Sequence, residues 1–476
     1  MKIAHKHIFS LLNNNIYQKN IKSYKNDLPG PVGLPIIGNL LGLKDNPYST
    51  MDYYHILYGG IYRLWLGEYY MISVSDPDIV REMLVKNHSS FSSRPNLPIV
   101  AFGSNNFKGI SGSSGTYWKK NRNLLLSAMK GANTKHVYEL LNYKVQSLIE
   151  IMNTIQLSND YFEPRIFAPR FAISTMFKYL FNENIPYFNH EDKLISLIQE
   201  SFSFMTLGNV GDFFSKLHPL YFRYLHSKGK CFEKIRDFLR EKYNEHYQTI
   251  DKEKPRDLLD FLIYEYGEPT EENITTIIQV LFDLLLAGTD TVYSSIEWIL
   301  LLFTNNYDYQ QKIYKELKEV VGNRERVLLS DRPQTVFTQA CIKEAMRFKA
   351  PSPFGLPHTV TQDILIKDYF IPKDSMVLVN YYSIAQNHKY FPNPHIFDPY
   401  RFMGTQQPDG FMVFSVGSRA CLGQSLAMDS IYLLISNIIL NFNLKSIDGK
   451  KIDDSNHVSG LNLRPNRYKL KLEKRY

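Results

Sequence analysis

The chain has 476 residues, of which 44% are hydrophobic and 14% aromatic, and this composition excludes collagen-like, disordered and disulfide-scaffold proteins. Its 55 Lys and Arg against 47 Asp and Glu give a net charge of +8, too dilute over this length to indicate a nucleic-acid partner. The three cysteines, Cys231, Cys341 and Cys421, stand far apart, which excludes a CxxC metal site and favours a reducing compartment.

Residues 1–27 read as a basic leader. The first 26 residues contain no acidic side chain, and their apolar run from Ile8 to Leu12 is broken by Ser10. Because a spanning helix needs about 20 apolar residues, we expect no full transmembrane span here. A mitochondrial targeting peptide and an amphipathic segment lying on a membrane surface both remain open.

The segment from Leu28 to Asn39, LPGPVGLPIIGN, contains too much Pro and Gly for a helix or a central strand. We expect it to be a stiff lead-in to the body of the protein. No internal repeat or low-complexity linker follows Asn39. The sequence therefore predicts one large domain over residues 28–476.

Apolar periodicity predicts the secondary structure that follows. Two strands flanking Gly67-Glu68 predict a hairpin, helices dominate the middle of the chain, and short strands return late. We expect a mainly α protein with small β-sheets. The predicted strands are Ile61–Leu66, Tyr69–Val74, Ile364–Ile366 and Met376–Asn380, and the predicted helices are Pro77–Lys86, Tyr117–Ala128, 136–157, 190–207, 230–249, 333–348 and Gln424–Asn441.

The segment from Ile274 to Phe303 is apolar enough to suggest a membrane span. Asp283, Asp290 and Glu297 interrupt it at seven-residue intervals, which places the three acids near one face of a long helix. Three acids in lipid would be costly. We therefore predict a long buried helix that crosses the protein.

The segment Phe414 to Gly423, FSVGSRACLG, leads into the predicted helix that begins at Gln424. Backbone N–H groups at a helix start favour a thiolate, here that of Cys421. Gly417 permits a tight turn, Gly423 lets a flat ligand approach the backbone, and Arg419 can meet an anionic group. A lone cysteine at a helix start is more often structural, but the ten-residue pattern reverses that preference.

This pattern resembles the haem-binding signature of the cytochrome P-450 superfamily, F-x-x-G-x-R-x-C-x-G, at every defined position. The resemblance implies the cytochrome P-450 fold in one large haem-thiolate monooxygenase domain. It also implies haem b as the cofactor, Cys421 as the axial ligand of the iron, Arg419 as a partner of a haem propionate, and Phe414 and Gly288 as residues at the cofactor. The thiolate donates electron density that favours O–O cleavage.

Further motifs of the same family stand in the expected order. Glu344 and Arg347, in I-K-E-A-M-R, resemble the E-x-x-R pair, which Arg401 of F-D-P-Y-R-F completes as a buried structural triad. Trp118 and Arg122 resemble the W-x-x-x-R pair, and His358 matches a third position; the resemblance implies that all three side chains face a haem propionate. Alone, the first pair would be an ordinary surface ion pair.

The long helix carries Ala287-Gly288-Thr289-Asp290-Thr291, which resembles the [AG]-G-x-[DE]-T motif of the family. Glycine, threonine and aspartate in mid-helix predict a local opening. The resemblance implies that Thr291 orders a water at the oxygen site and that Asp290 relays protons to it. Ala287 and Gly288 would leave room for O2. One oxygen atom then enters the substrate and the other becomes water.

Two other function classes remain as alternatives. A haem-thiolate isomerase or dehydratase acting on a peroxide substrate needs no proton relay, and neither does a haem sensor or carrier, so the Asp290-Thr291 pair argues against both. A hydrolase lacks support, because the sequence contains no G-x-S-x-G elbow and no phosphate-binding Gly-Lys loop.

The resemblance also implies partners and a location. Electrons would come from a separate protein, an NADPH-dependent diflavin reductase rather than a ferredoxin, docked on Lys and Arg near the cysteine loop. The expected site is the cytosolic face of the endoplasmic reticulum, with a mitochondrial or a soluble location still open. We expect a small lipophilic substrate. Aromatic side chains in the segments that would line its pocket are Phe102, Phe107, Phe202, Phe204 and Phe354.

Overall fold

The computed structural model describes residues 27–43, 46–132, 135–187, 192–205, 209–251, 253–458 and 460–475, so the predicted leader lies outside it except for Asp27. Helices outweigh strands, as predicted. In chain order the helices are α1 Pro47–Tyr58, α2 Pro77–Arg81, α3 His88–Phe91, α4 Pro98–Gly103, α5 Gly115–Gly131, α6 Lys135–Leu157, α7 Pro164–Phe181, α8 Asp192–Phe204, α9 His218–Lys228, α10 Lys230–Thr249, α11 Leu258–Tyr266, α12 Glu271–Asn305, α13 Tyr307–Val321, α14 Val336–Phe348, α15 Tyr381–Ala385 and α16 Gln424–Asn441.

The strands form one small mixed sheet and three two-stranded ladders. The sheet has the order β1-β2-β6-β3, in which β1 and β2 are the antiparallel hairpin and β6 runs parallel to β2. The ladders pair β4 with β5, β7 with β10 and β8 with β9. The strands are β1 Ile61–Leu66, β2 Tyr69–Val74, β3 His358–Thr359, β4 Ile364–Ile366, β5 Tyr369–Ile371, β6 Met376–Val379, β7 Phe442–Ser446, β8 His457–Val458, β9 Arg464–Pro465 and β10 Leu470–Lys474.

Most predicted elements are confirmed, and their bounds agree best where turn or helix signals flank them. The hairpin and the helix that follows Cys421 have the predicted bounds. The predicted helix Pro77–Lys86 instead leaves the α-helical path at Arg81 and ends in a π-helical turn, Glu82–Lys86. Helix α7 is missing from the prediction because it is buried nearly all round, so its sequence carries no amphipathic stripe.

Helix α12 is the long buried helix predicted from the acids at seven-residue intervals. Thr270 caps its start, and the helix continues without interruption across its described length, so the expected local opening at Gly288 is not seen. It is the one helix among the described residues that is long and apolar enough to cross a membrane. Most of its side chains are buried inside the protein, which explains the apolar composition by core packing.

Candidate active site

The loop before α16 presents Cys421 through a tight turn. The Cys421 N–H donates to Phe414 O at 2.9 Å, while Ser415 and Gly417 both adopt positive φ, 61° and 77°. A Cβ on Gly417 would lie 2.0 Å from Leu84 O, so only glycine fits this turn. The ten-residue pattern therefore reflects the backbone geometry of the turn as well as the chemistry of the cysteine.

The Cys421 side chain is accessible to solvent, whereas Cys231 and Cys341 are buried. Protein around the Cys421 thiol raises its pKa, while the Gly423 N–H and the charge of Arg122 oppose that shift. The N–H contribution expected at the helix start is therefore present but smaller than the effect of burial. Both opposing groups would stabilise a thiolate that binds a metal.

Arg419 is fixed by the backbone that surrounds it. Its guanidinium donates to Ser92 O at 2.9 Å, Ile110 O at 2.8 Å and Ser113 O at 2.5 Å. The guanidinium carbon also lies 3.9 Å from the centre of the Trp118 ring. The cysteine loop and helix α5, far apart in sequence, therefore meet at Arg419.

Four basic side chains converge beside this loop: Arg94, Arg122, Arg419 and His358, which we call the cation array. All side-chain hydrogen bonds that the three arginines make within the described residues go to backbone carbonyl oxygens. Burial lowers the pKa of Arg94 to about 10. Burial, with repulsion from Arg94 and Arg122, lowers the pKa of Arg419 to about 8. A buried array of one sign calls for an anionic ligand.

The cation array has a polar neighbour without a partner. The indole Nε1 of Trp118 is buried and donates to no acceptor among the described residues. A haem carries two carboxylates at one edge, and carboxylates would satisfy both the guanidinium groups and this N–H. A Cβ on Gly423 would meet no protein atom within 4 Å, so the backbone there is open to a flat group. The residues present fit a haem.

His358 belongs to the array through its second ring nitrogen. Its Nδ1 donates to Phe91 O at 2.6 Å, which leaves Nε2 for another partner. Burial, together with the charges of Arg94 and Arg419, lowers the pKa of His358 well below its usual value. A carboxylate nearby would reverse the charge effect and favour the protonated ring, which can donate from Nε2.

Arg94 is the member of the array that the sequence analysis missed. It donates to the carbonyls of Ser111, Leu356 and Pro357 and so joins the segment before α5 to the segment before β3. Its partners lie up to 263 residues away in sequence. No motif of fixed spacing marks it, and only the tertiary structure brings it beside Arg419.

The predicted triad of Glu344, Arg347 and Arg401 is assembled. Two Arg347 nitrogens donate to the two Glu344 carboxylate oxygens, both at 2.7 Å, and Arg401 Nε lies 3.5 Å from Oε1. The Asp398 N–H donates to the same oxygen at 2.9 Å. Burial raises the pKa of Glu344 while Arg347 opposes that shift. Arg347 and Arg401 also donate to carbonyls at Ala385, Pro394 and Asn393, which ties the triad to the long loop before the cysteine.

On helix α12 the predicted acid and alcohol have different surroundings. The Thr291 hydroxyl donates to Ala287 O at 2.6 Å, and both residues are accessible on a helix that is otherwise mostly buried. Asp290 is 0% exposed, and its Oδ2 accepts from Asn462 Nδ2 at 2.6 Å. Thr291 therefore faces an accessible space, whereas its neighbour Asp290 faces the protein interior.

The surroundings of Gly288 do not match the expectation that this residue leaves room for oxygen. A Cβ there would lie 2.3 Å from Met176 Sδ, so the missing side chain allows α7 to pack closely on α12. The accessible small residue at this level is Ala287. Helix packing thus explains Gly288 without a role at the cofactor.

Asp283 is a further residue whose function the sequence analysis did not identify. Its carboxylate accepts from the N–H groups of Ile110 and Ser111, at 2.8 and 2.9 Å, and from the Ser111 hydroxyl at 2.8 Å. A Cβ on Gly109 would lie 2.6 Å from the same carboxylate, so the loop can approach only with glycine there. Asp283 thereby fixes the loop whose carbonyls hold Arg419.

The five phenylalanines expected near a substrate fall into two groups. Phe102 and Phe202 are 6% and 5% exposed and belong to the main core, where Phe102 contacts the ring of Phe232. Phe107, Phe204 and Phe354 are partly accessible. Only this second group retains surface that a ligand could contact.

Comparisons with known proteins identify one family. The family model described as Cytochrome P-450 matches residues 28–472. Among curated proteins of Dictyostelium discoideum, the chain is 56% identical over 468 residues to "Probable cytochrome P-450 508D1", covering 97% of each chain. It is 40% identical over 480 residues to "Probable cytochrome P-450 508C1", again covering 97% of each, and 41% identical over 469 residues to "Probable cytochrome P-450 508A1", covering 97% and 96%.

Proposed function

The chain belongs to the cytochrome P-450 family, and from that premise we propose that Cys421 would hold the iron of a haem b and that Asp290 and Thr291 would deliver protons. At the level of the family it is an oxidoreductase, a haem-thiolate monooxygenase. When bound, the haem activates O2 so that one oxygen atom enters the substrate and the other leaves as water.

The observation that carries the cofactor assignment is the cation array together with the Trp118 N–H, which has no acceptor in the part of the chain that the structure describes. Arg122 and His358 each keep donor capacity beyond their contacts with protein carbonyls, and Arg419 lies against the Trp118 ring. Propionates bound here would orient the haem edge, and the accessible Cys421 would meet its iron. Phe414 supports the loop through the hydrogen bond from Cys421 N–H.

The catalytic residues on α12 would act by holding and moving protons. The Thr291 hydroxyl faces accessible space and can order a water there. The buried Asp290 carboxylate, adjacent in sequence, can take up a proton from water and pass it on through the water held by Thr291. The Glu344, Arg347 and Arg401 triad would have a structural role, because its charges pair with one another inside the protein.

A spectrum tests the cofactor assignment. Purified holoenzyme, reduced and treated with carbon monoxide, should give the spectrum typical of a haem thiolate. Cys421→Ser should abolish that spectrum, whereas Cys341→Ala, a change at a buried cysteine outside the site, should keep it. A thiolate spectrum in Cys421→Ser would overturn the assignment.

Peroxide release tests the proton-delivery role. Thr291→Ala should keep haem and the thiolate spectrum but divert a larger share of the electrons into H2O2, because the water that receives the proton is no longer ordered. Thr289→Ala is a matched control, since the Thr289 hydroxyl is buried and has no hydrogen-bond partner in the described part of the chain. An unchanged peroxide yield in Thr291→Ala would remove this residue from the mechanism.

We propose that electrons arrive from a separate NADPH-dependent diflavin reductase. Lys119 and Lys120 are exposed on helix α5, which also carries Trp118 and Arg122, and so offer a basic surface next to the cofactor site. Lys119→Glu with Lys120→Glu should slow reduction by that reductase at low salt, whereas Lys471→Glu on β10 should not. Equal reduction by a ferredoxin and a diflavin reductase would contradict the choice of donor.

We propose further that the protein attaches to the cytosolic face of the endoplasmic reticulum through an apolar face. This face forms around the β1–β2 turn, where Gly67 N–H donates to Ile37 O and Glu68 N–H donates to Phe213 O. Lys216 and Arg223, which are exposed nearby, suit anionic lipid headgroups. The exposed apolar side chains of this face are Val32, Ile36, Leu41, Val210, Leu217 and Leu220.

Vesicle flotation tests this attachment. Leu220→Asp should weaken the binding of the full chain to vesicles that contain phosphatidylserine, because a charge replaces an exposed apolar contact. Leu365→Asp is the matched control, since Leu365 is 61% exposed on the β4–β5 hairpin and Leu220 is 65% exposed. Equal loss of binding in both variants would contradict the proposed face.

A small lipophilic substrate is the class that we propose for the space beside Thr291. Phe107, Phe204 and Phe354 keep accessible aromatic surface, which supports an apolar ligand. A library scan for ligand-induced shifts of the haem spectrum tests this class. Selective shifts with charged, polar compounds would contradict it.

A further inference from the structure

Asp290 is held by a residue that no motif of the sequence marks. Asn462, in the segment between β8 and β9, donates from Nδ2 to Asp290 Oδ2 at 2.6 Å. Asn462 is 2% exposed and Asp290 is 0% exposed. The other carboxylate oxygen, Oδ1, is buried and has no well-aligned hydrogen bond within the described residues, although the Tyr293 hydroxyl and the Glu297 carboxyl on the same helix lie near enough to interact with this acid. Oδ2 is therefore occupied by the hydrogen bond from Asn462, and Oδ1 is left to exchange a proton.

Asn462 bridges Asp290 and Ser352. The carboxylate of Asp290 accepts a hydrogen bond, so the amide NH2 group faces it, and the amide oxygen accepts from the Ser352 hydroxyl on the other side. A hydroxyl can donate or accept, so Ser352 holds this orientation and Asp290 sets it. The two hydrogen bonds together form a directed chain from Ser352 through Asn462 to Asp290.

The backbone around Asn462 is fixed independently of this chain. Leu463 N–H donates to Pro351 O at 2.7 Å, and Trp298 Nε1 donates to Leu463 O at 3.0 Å. Arg464 donates to the Tyr293 hydroxyl. The segment is thus attached to α12 and to residue 351, so the amide position does not depend on its contact with Asp290.

We propose that Asn462 is a positioning residue for proton delivery: it occupies Asp290 Oδ2, so that Oδ1 alone takes up a proton from water and passes the same proton on. The carboxylate is regenerated and no electron moves in this step. The inference rests on the proposed role of Asp290. Ser352 acts one step further away, because it holds the amide oxygen of Asn462.

A purely structural tether makes a different prediction from a positioning residue. If Asn462 were only a structural tether, removing any hydrogen bond of the segment between β8 and β9 would lower the stability of the protein. Proton delivery would then decrease in proportion to the loss of stability. Trp298→Phe provides that comparison, because it removes the bond to Leu463 O and leaves Asn462 and Asp290 unchanged.

The test uses the holoenzyme and an infrared readout. The carboxyl band of Asp290 in acid-minus-neutral difference spectra is identified by its loss in Asp290→Asn. In Asn462→Leu, which keeps the branched shape of the side chain, the carbonyl frequency of this band should rise, because the hydrogen bond from the Asn462 amide is lost. Trp298→Phe should leave the frequency unchanged.

Peroxide release provides the second readout. With reductase, NADPH and air, Asn462→Leu should release several times more H2O2 per NADPH than Trp298→Phe, and Ser352→Ala should shift both readouts in the same direction by less. If Asn462→Leu does not fold, Ser352→Ala carries the test. An unmoved infrared band in these variants, or an equal movement in Trp298→Phe, overturns the positioning role.

The outcome also separates this inference from the proposed function. If Asp290→Asn leaves peroxide release unchanged, the proton-delivery role of Asp290 fails, and the positioning role fails with it. If Asp290→Asn raises peroxide release while Asn462→Leu moves neither the band nor the peroxide yield, Asp290 keeps its role and only the role of Asn462 is wrong.

Discussion

Two groups of buried charge lie in this molecule, and they are built in opposite ways. In the triad, Glu344 sits between Arg347 and Arg401, and each carboxylate oxygen accepts from a guanidinium or a backbone N–H. In the cation array, Arg94 and Arg419 lie close to each other and hydrogen-bond only to carbonyls within the described residues. The triad carries its own counterion, whereas the array has no carboxylate at ion-pair distance among the described residues, and the charge of Asp283 only partly offsets the burial of Arg419.

This difference separates a part that holds the fold from a part that binds a ligand. A buried cluster whose opposite charges pair with one another needs no ligand, and removing one member leaves a buried charge without a partner. An uncompensated group costs stability until an anion arrives, so its arginines contribute to binding more than to folding. The same contrast separates His246, which has Asp257 beside it, from His358, which has arginines beside it.

The largest expected effect is in the triad. Glu344→Gln keeps the shape of the side chain but leaves Arg347 and Arg401 buried without a counterion. We expect the free energy of unfolding to fall by about 3–5 kcal/mol, measured by urea denaturation of the holoenzyme. A loss below about 1 kcal/mol would mean that the triad is not the compensated unit described here.

The second effect concerns the array and should appear in binding. Arg122→Gln removes one cation whose side chain bonds only to Ala420 O in the described structure. We expect haem loss to a scavenging protein to accelerate about ten- to a hundredfold, while the free energy of unfolding changes by less than about 1 kcal/mol. Arg240→Gln, at an exposed ion pair, is the control. Unchanged haem loss with lower stability would contradict the distinction.

The third effect is a pH dependence at the compensated histidine. Both ring nitrogens of His246 face acceptors at 3.0 Å, Lys242 O and an Asp257 carboxylate oxygen, which suits the protonated ring. Burial lowers its pKa, but Asp257 and then Asp260 outweigh burial and Arg256, and the net shift is upward. Arg256 already pairs with Asp260, so this cluster is a poor site for a metal ion despite its geometry.

A raised pKa fixes the sign of this dependence. The His246 pair contributes fully below the unfolded value of about 6.5, and its contribution is lost as pH rises through the higher folded value. His246→Gln should therefore lose about 1 kcal/mol of stability below pH 6.5 and converge on the wild type at alkaline pH, measured by denaturation at several pH values. A difference that grows with pH would reverse the assignment.

The smallest effect belongs to charges that water screens. Glu271 and Arg240 pair at 2.7 Å, but their side chains are 71% and 42% exposed. Glu271→Gln should change the free energy of unfolding by about 0–1 kcal/mol, and by less at high salt. This variant provides the baseline for Glu344→Gln. A large effect here would show that burial does not decide the difference between the two pairs.

The sequence allowed much of the fold to be predicted, and the reason differs between elements. The hairpin has the predicted bounds because a Gly-Glu turn separates two apolar runs, and α16 does so because the glycine-containing loop ends where the helix begins. Helix α7 was not predicted, since periodicity disappears when all faces of a helix are buried. From the sequence, Gly288 was expected to leave room for oxygen. Its close contact with Met176, which explains the glycine, comes from another helix and cannot be read from the local sequence.

The sequence by itself determined the family, the mainly α fold and the candidate thiolate, because these follow from residues close together in the chain whose spacing is fixed by local backbone geometry. Only the tertiary structure decided which groups complete the site. Arg94 reaches the array, Asp283 fixes the loop beside it and Asn462 reaches Asp290, each across more than a hundred residues of sequence. Packing sets such contacts, and no periodicity or motif spacing records them.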